Sequence, residues 1–374
     1  MSRARAEVNL AAIASNLKFI KSKTKSQVLA VVKADAYGHG LVTVAKAAQE
    51  AGADWFGTAL LEEAIALRNS GITKPIIAWL TPPGEDFKTA INLGIDLSIS
   101  SVELLAEIAA AGKALNKIPR VHIELDTGMN RGGFGDELDT AIPELAEQVK
   151  SGAVKVIGIW SHFARADEPG IVMNQTQLSE FNSRVEQLKK AGITSEYLHL
   201  ANSAASLTIP DAHKNIIRWG IGLYGLSPDV KNMGTSSELG INSAMKLISK
   251  LQLVKAVKAG QSVGYGSTAT TKVDTKLGVV TMGYADGIPR NASNLAGVFV
   301  AGKRAPLIGR VSMDQFVVDL GATSLAKTGD EVIVFGDGSG GEYTIDEWAK
   351  ACGTINYEIV TRIGTRVPRI YPRE

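Results

Sequence analysis

One cysteine, Cys352, stands alone in 374 residues. No intramolecular disulfide can form, a four-cysteine zinc centre cannot be built, and any mechanism that needs two thiols is excluded. Charge of one sign is missing too. The 40 Lys and Arg residues balance 38 Asp and Glu residues for a formal charge of +2. The signs are interspersed, so the chain carries no footprint for nucleic acid or an anionic membrane. No uncharged apolar run approaches the roughly 18 residues of a membrane span. Glu7, Asn9, Asn16 and Lys18 interrupt what would be the apolar stretch of a signal peptide behind Arg3 and Arg5. These absences predict a cytoplasmic protein with a small-molecule substrate, no membrane or nucleic-acid partner and no metal.

At about 150 residues per domain, the length predicts two domains. From Val28 to Tyr224, apolar runs alternate with helical spacing. Candidate strands cover Val28 to Val32, Trp55 to Ala59, Pro75 to Trp79, Ile95 to Ile99, Arg120 to Leu125, Val154 to Trp160, Glu196 to Leu200 and Ile216 to Trp219. Between them Leu41, Val44, Ala45 and Ala48 share one helical face, as do Phe181, Val185 and Leu188. Gly52, Gly71, Gly94, Gly112, Gly152 and Gly192 stand where helices would stop. Near-continuous apolar strands separated by helices imply a parallel sheet covered on both faces. Repetition of the unit eight times favours a (β/α)8 barrel over an open doubly wound sheet, and functional residues should then lie just past the C-terminal strand ends. Beyond Asn242 the pattern becomes strand after strand, over Lys246 to Val257, Lys276 to Met282, Val298 to Val300, Gln315 to Leu320 and Glu331 to Phe335. The expected class is α/β: a barrel over residues 1–240, followed by a mainly β domain over 241–374.

Polar residues cluster behind the predicted strands. The first runs directly into Lys33, within Val32-Lys33-Ala34-Asp35-Ala36-Tyr37-Gly38-His39-Gly40. Burial disfavours an ammonium and lowers its pKa toward the nucleophilic amine that a Schiff base requires. The ordinary alternative is a strand-end lysine that reaches back to solvent. After the fifth strand, Asp126-Thr127-Gly128-Met129-Asn130-Arg131-Gly132-Gly133 offers Arg131 as a carboxylate clamp. Ser161-His162-Phe163 follows the sixth, and Ala201-Asn202-Ser203 the seventh. Asn202-Ser203 reads as a helix cap, and free amides there also suit phosphate. The eighth strand carries Arg218 and leads through Trp219-Gly220-Ile221-Gly222. Singly each is weak: His162 could be a structural histidine and Arg218 a solvent-facing charge. Their recurrence at the same end of five strands is the stronger sign. The second half adds Gly264-Tyr265-Gly266, Gly283-Tyr284-Ala285-Asp286-Gly287, Ser312-Met313-Asp314 and Asn356-Tyr357-Glu358. Gly336, Gly338 and Gly341 match a G-x-G-x-x-G dinucleotide fingerprint, but no complete β-α-β unit follows, and a hairpin turn is expected instead.

Taken in order from Val32-Lys33 through Asp126 to Arg131, Ser161-His162-Phe163, Gly264-Tyr265-Gly266 and Thr361-Arg362-Ile363-Gly364, the chain resembles the pyridoxal phosphate-dependent alanine racemases end to end. That resemblance implies a homodimer with active sites shared between subunits, interconverting L- and D-alanine and supplying D-alanine for peptidoglycan. It implies that Lys33 binds the cofactor and serves as base on one face of the substrate, with Tyr265 from the other subunit as base on the opposite face. His162 would stack on the cofactor ring and Arg218 would donate to its pyridine nitrogen. Phosphate would rest on Tyr37, Ser203, Ile221 and Tyr357, with Asn202 and Gly220 close by. Arg131 and the Met313 amide would meet the substrate carboxylate, and Tyr284 and Tyr357 would constrict the entrance.

Three positions depart from the family pattern. Glu124 stands where well-known members carry a carbamylated lysine, and its carboxylate, or another anion such as chloride, would then orient Arg131. A side chain facing elsewhere on its strand is the alternative. Trp219 replaces a usual proline, and Ser312 a frequent cysteine. Competing functions are a serine or broad-specificity racemase, a decarboxylase of the same barrel class, and a non-catalytic cofactor carrier. Arg218 argues against the decarboxylase, and Tyr265 with the β region argues against the carrier.

Overall fold

In a computed structural model describing Ser2 to Pro372, the chain forms two compact units. One comprises Ile13–Ala36 and Leu41–Ile241, the other Met1–Ala12, Tyr37–Gly40 and Asn242–Glu374. The first strand, β1 (Arg5–Val8), belongs to the second unit.

Eight parallel strands build the first unit: β2 (Gln27–Val31), β3 (Trp55–Thr58), β4 (Ile76–Ala78), β5 (Asp96–Ile99), β6 (Arg120–Glu124), β7 (Lys155–Trp160), β8 (Tyr197–His199) and β9 (Ile216–Trp219). Their order is β8-β7-β6-β5-β4-β3-β2-β9. Between the end strands Asn215 N donates to Leu198 O at 3.0 Å and Arg218 N to Ala201 O at 2.9 Å. These two bonds join the edges, so the sheet is a barrel and not an open sheet. Every residue of β3, β4, β5 and β9 is buried, because helices cover the face turned away from the interior. The helix Leu41–Glu50 turns Val44, Ala45 and Ala48 inward, and Val172–Lys190 turns Phe181 and Leu188 inward.

One anticipated helix stop falls elsewhere. Gly112 lies inside the helix Val102–Leu115, where a Cβ would press on the Pro119 ring, and Asn116 at φ 53° ends that helix. Asparagine tolerates this conformation through local hydrogen bonding.

The second unit centres on β10 (Met245–Val257), followed by β11 (Ser262–Val263), β12 (Ala269–Thr270), β13 (Thr275–Val280), β14 (Gly297–Val300), β15 (Lys303–Pro306), β16 (Phe316–Asp319), β17 (Glu331–Phe335) and β18 (Arg369–Ile370). The sheet runs β15-β14-β17-β10-β1-β18, with β13 pairing along the other half of β10 and β16 pairing with β13. Residues 1–12 therefore depart from the boundary that placed 1–240 together. β1 pairs antiparallel with β10 from Arg5 opposite Ile248 to Val8 opposite Met245, burying Ala6 and Val8. A four-residue alternating run does not reveal a partner so distant in sequence.

The G-x-G-x-x-G segment is a turn: Gly336 N donates to Tyr343 O at 2.9 Å and Gly341 N to Gly338 O at 3.0 Å. Thr344 and Glu347 then cap the helix Ile345–Cys352 reciprocally. Cys352 is buried and its thiol pushed up to about 11 by that burial, which makes it inert. Among the described residues no helix is long and apolar enough to cross a membrane.

Candidate active site

Lys33 follows β2 by two residues. Val32 N donates to Gly57 O at 2.9 Å, and the chain then winds through Lys33–Gly38 as a left-handed turn. Ala34, Asp35, Ala36 and Tyr37 have φ of 53°, 55°, 53° and 51°. Four consecutive non-glycine residues in that region cost roughly 1–2 kcal/mol each, so their neighbours must enforce it. Glu63 anchors the first of them to the loop after β3: its Oε1 accepts from Ala34 N at 2.6 Å and its Oε2 from Ala59 N and Leu60 N, both at 3.1 Å. Asp35 Oδ1 also accepts from Leu41 N at 2.7 Å. The Lys33 amine is lowered from its ordinary value by burial and by the cations Arg131 and Arg218, with Glu63 opposing. A larger share is therefore the neutral nucleophile at physiological pH.

Arg218, in β9, is 4% exposed. Its Nη2 donates to Ser161 O at 2.8 Å and to His162 Nδ1 at 3.0 Å, and its Nη1 donates to His199 O at 3.0 Å. Burial lowers its guanidinium to about 9, with Glu124 opposing, so it remains a cation at neutral pH. His162 is held well below its ordinary value by burial and by Arg218, Arg131 and Lys33, which leaves a neutral ring. Because Arg218 donates to Nδ1, that nitrogen accepts and the proton sits on Nε2.

Arg131 sits on a loop shaped by Asp126, whose Oδ1 accepts from the amides of Gly128, Met129 and Asn130 at 2.9, 3.0 and 3.1 Å. Bonds from Phe134 N to Glu124 O at 2.8 Å and from Asp126 N to Phe134 O at 2.9 Å close its base. Glu124, the last residue of β6, turns toward this loop. Its Oε1 lies 3.4 Å from where a Cβ on Gly132 would stand, and it lines one cleft with Arg131, Ser161 and His162. Among the described residues the two charges form no ion pair within 4.0 Å.

Burial raises Glu124 to about 7, with Arg131 and Arg218 pulling the other way. A folded-state pKa above the unfolded value means the fold favours the proton. The penalty is absent below the ordinary carboxylate value of 4.5, grows as pH rises and is complete above about 7. Glu124→Gln should therefore gain stability relative to the parent between pH 4 and 8, by at most about 3 kcal/mol. Urea unfolding at both pH values measures it, and a pH-independent difference would contradict the burial argument.

Asn202 caps the helix Ser203–Thr208, its Oδ1 accepting from Ala205 N at 3.0 Å. Ser203 Oγ accepts from Gly220 N at 2.9 Å and Gly222 N at 3.4 Å, so the loops after β8 and β9 meet. Trp219 is fully buried, and a Cβ on Gly222 would overlap its indole, which explains glycine there.

In the second unit Tyr265 lies between Gly264 and Gly266, both at positive φ, and is 73% exposed. A side chain on Gly266 would collide with the Arg310 guanidinium. Tyr284 N donates to Ser312 O and Ala285 N to Met313 O, both at 3.0 Å, which joins the Tyr284 and Met313 loops. The carboxylate of Asp286 fixes that corner, accepting from Gly283 N at 3.0 Å and pairing with Arg3 and, at 3.3 Å, Arg366. Tyr37 and Tyr357 meet with ring centroids 6.1 Å apart.

The sequence matches family profiles for the alanine racemase N-terminal domain over residues 8–228 and the C-terminal domain over residues 244–371. The chain belongs to the alanine racemase family. Alanine racemase from Salinispora arenicola is 45% identical over the full length of both chains, and that from Streptomyces coelicolor 44% identical over 100% of this chain and 96% of that one. The crystal structure of alanine racemase from the D-cycloserine producer Streptomyces lavendulae superposes with a TM-score of 0.97 at 45% identity, covering 100% of this chain and 98% of that one. Among solved members, the biosynthetic alanine racemase of Pseudomonas aeruginosa has a TM-score of 0.88 at 38% identity, covering all of both chains.

Two groups at this site were not singled out in the sequence. Glu63 ties the first residue of the strained turn, through Ala34 N, to the amides of Ala59 and Leu60, but a glutamate in the first turn of a helix carries no local signal of that task. His122 and His199 did carry one: a histidine within an otherwise apolar barrel strand must find a polar partner.

Proposed function

We propose that this chain interconverts L- and D-alanine with pyridoxal phosphate bound in the barrel, as a dimer in which each second unit completes a partner's site. The observation that carries the reading is the depressed amine of Lys33 within a cluster of Arg131, Arg218 and neutral His162, in a chain matched along its length by alanine racemases. The donor set suits the cofactor. Both Arg218 Nη groups are engaged, and among the described residues its Nε has no acceptor, leaving one N–H for a ring nitrogen. Among the described residues the Ser203 and Ile221 amides also lack an acceptor, as phosphate binding requires.

Bound there, pyridoxal phosphate supplies an electron sink that makes the substrate Cα–H acidic. Lys33 holds the group through its Nζ and moves a proton at Cα from one face, and Tyr265 does so from the other. Two bases are a physical requirement, because racemisation removes a proton on one side and returns it on the opposite side. The exposure of Tyr265 supports its service to a second subunit. Arg131, with the Met313 amide, holds the substrate carboxylate, and Glu124 orients Arg131 from the same cleft. Ser203, Ile221, Tyr37 and Tyr357 hold the phosphate with Asn202 and Gly220 adjacent, and Tyr284 and Tyr357 narrow the entrance.

The test is Cα proton exchange in deuterated water across a panel of L- and D-amino acids, with borohydride labelling of the cofactor-loaded protein. Exchange of both alanine enantiomers and a label on Lys33 are expected. Equal exchange of serine would move the assignment to a broader racemase, and a protein that never takes up the cofactor would overturn it.

A further inference from the structure

A second polar chain runs through the barrel interior from Arg218. Its Nη1 lies 3.4 Å from His199 Nδ1, His199 Nε2 lies 2.9 Å from His122 Nδ1, and His122 Nε2 lies 3.2 Å from Asp96 Oδ2. Arg120 donates to Asp96 through Nε at 2.5 Å and Nη2 at 2.9 Å. Asp96 is 1% exposed, and both histidines are fully buried. A buried polar group is tolerated only when satisfied, so consecutive polar side chains inside a barrel need an account.

The ends of the chain dictate its protonation. A guanidinium offers donors only, so His199 Nδ1 accepts and its proton sits on Nε2. His122 Nδ1 then accepts in turn and carries its proton on Nε2, which it gives to the Asp96 carboxylate. Protonating either imidazole fully would set two donors against each other, at Arg218 or between the rings. The environment of His199 agrees: burial, with the Arg218 cation adding, holds it well below its ordinary value. Burial works against charge on Asp96, but hydrogen bonds from His122 and Arg120 outweigh it and keep the carboxyl below its usual range.

Packing fixes the rings as well. Trp160 stacks on His199 with centroids 5.8 Å apart and planes 7° from parallel, and the Arg218 guanidinium lies 5.1 Å over the same indole. Trp55 meets His122 edge-on at 5.7 Å. Gly158 lies opposite His122, at an irregularity in the β6–β7 register, and a Cβ there would overlap the His122 ring.

We propose that Asp96, His122 and His199 are positioning residues: a one-way hydrogen-bond relay that holds the Arg218 guanidinium in a single orientation, with Nε presented to the ligand. The relay itself stands on these contacts, and its catalytic consequence rests on the racemase reading. With five histidines in the chain, nitrogen-15 NMR of histidine-labelled full-length protein, with and without pyridoxal phosphate, reads each tautomer directly. His122 and His199 should both be neutral with the proton on Nε2. In His122→Phe and in Gly158→Ala the His199 nitrogens should shift, and kcat should fall roughly 10- to 100-fold with KM for alanine little changed, as misorientation of a remote contact produces. Circular dichroism keeps a misfolded variant from being counted, and the wild-type spectrum decides even if neither variant folds. A wild-type His199 protonated on Nδ1, or a folded His122→Phe protein with unchanged His199 signals, overturns the relay. Correct tautomers in a protein that does not racemise alanine would overturn the racemase reading and leave the relay standing.

Discussion

Removing either proposed base should split the two directions of exchange. Tyr265→Phe deletes one oxygen from a side chain that is 73% exposed, so the fold should be unaffected. Racemisation should nevertheless fall by roughly a hundred- to ten-thousand-fold, the range for losing one general acid–base group. The variant should still exchange the Cα proton of one enantiomer with solvent, because Lys33 still reaches its own face. Lys33→Ala should lose more, since in the proposed scheme the same amine would also tether the cofactor, and what exchange remains should belong to the other enantiomer. Mixing equal amounts of the two variants supplies a further readout. If Tyr265 acts on a partner's substrate, hybrid dimers carry one intact site and recover up to about half of the wild-type rate per hybrid. Were Tyr265→Phe to exchange both enantiomers at parental rates, the tyrosine would not be a base and the two-base scheme would be untenable.

Much of this architecture was legible because barrels repeat. Eight apolar strands alternating with amphipathic helices state their own parallel pairing, and side chains just past the strand ends state where ligands go. Lys33, Arg131, His162, Ser203 and Arg218 were singled out in that way, and all lie at that end of the barrel unit. Long-range pairing was not legible: β1 joins β10 across more than two hundred residues of sequence, and four alternating residues contain no record of it. Nor was backbone handedness. Ala34, Asp35 and Ala36 are ordinary residues, and the left-handed turn they form is anchored at Ala34 N by Glu63, which lies in a different helix. Glu124 was half legible. Its place seven residues before Arg131 raised the question of orientation, but only the fold shows the carboxyl turned against Gly132 in the Arg131 cleft.

Arg218 should decide reaction type as well as rate. In the proposed scheme its guanidinium would offer a donor that stays positive and gives no proton to a ring nitrogen, so the electron sink supplied by the cofactor would be shallow. Arg218→Gln keeps a side-chain N–H but gives up the charge and the paired Nη contacts to Ser161 O, His162 and His199 O. Racemase turnover should drop roughly 100- to 1000-fold, the typical loss for one preorganised electrostatic contact. In Arg218→Glu an acidic partner would protonate the ring nitrogen and deepen the sink. That variant should lose as much turnover and also convert alanine to pyruvate in a slow side reaction, with the cofactor released as its amine form. It also buries a carboxylate against two carbonyl oxygens and near Glu124, so a lower Tm is expected from Arg218→Glu than from Arg218→Gln. Pyruvate measured against D-alanine formed gives the partition directly. A folded Arg218→Glu enzyme with the parental ratio would mean that the arginine serves geometry alone, and the suppression of side reactions would have to be sought in the positions of Lys33 and Tyr265.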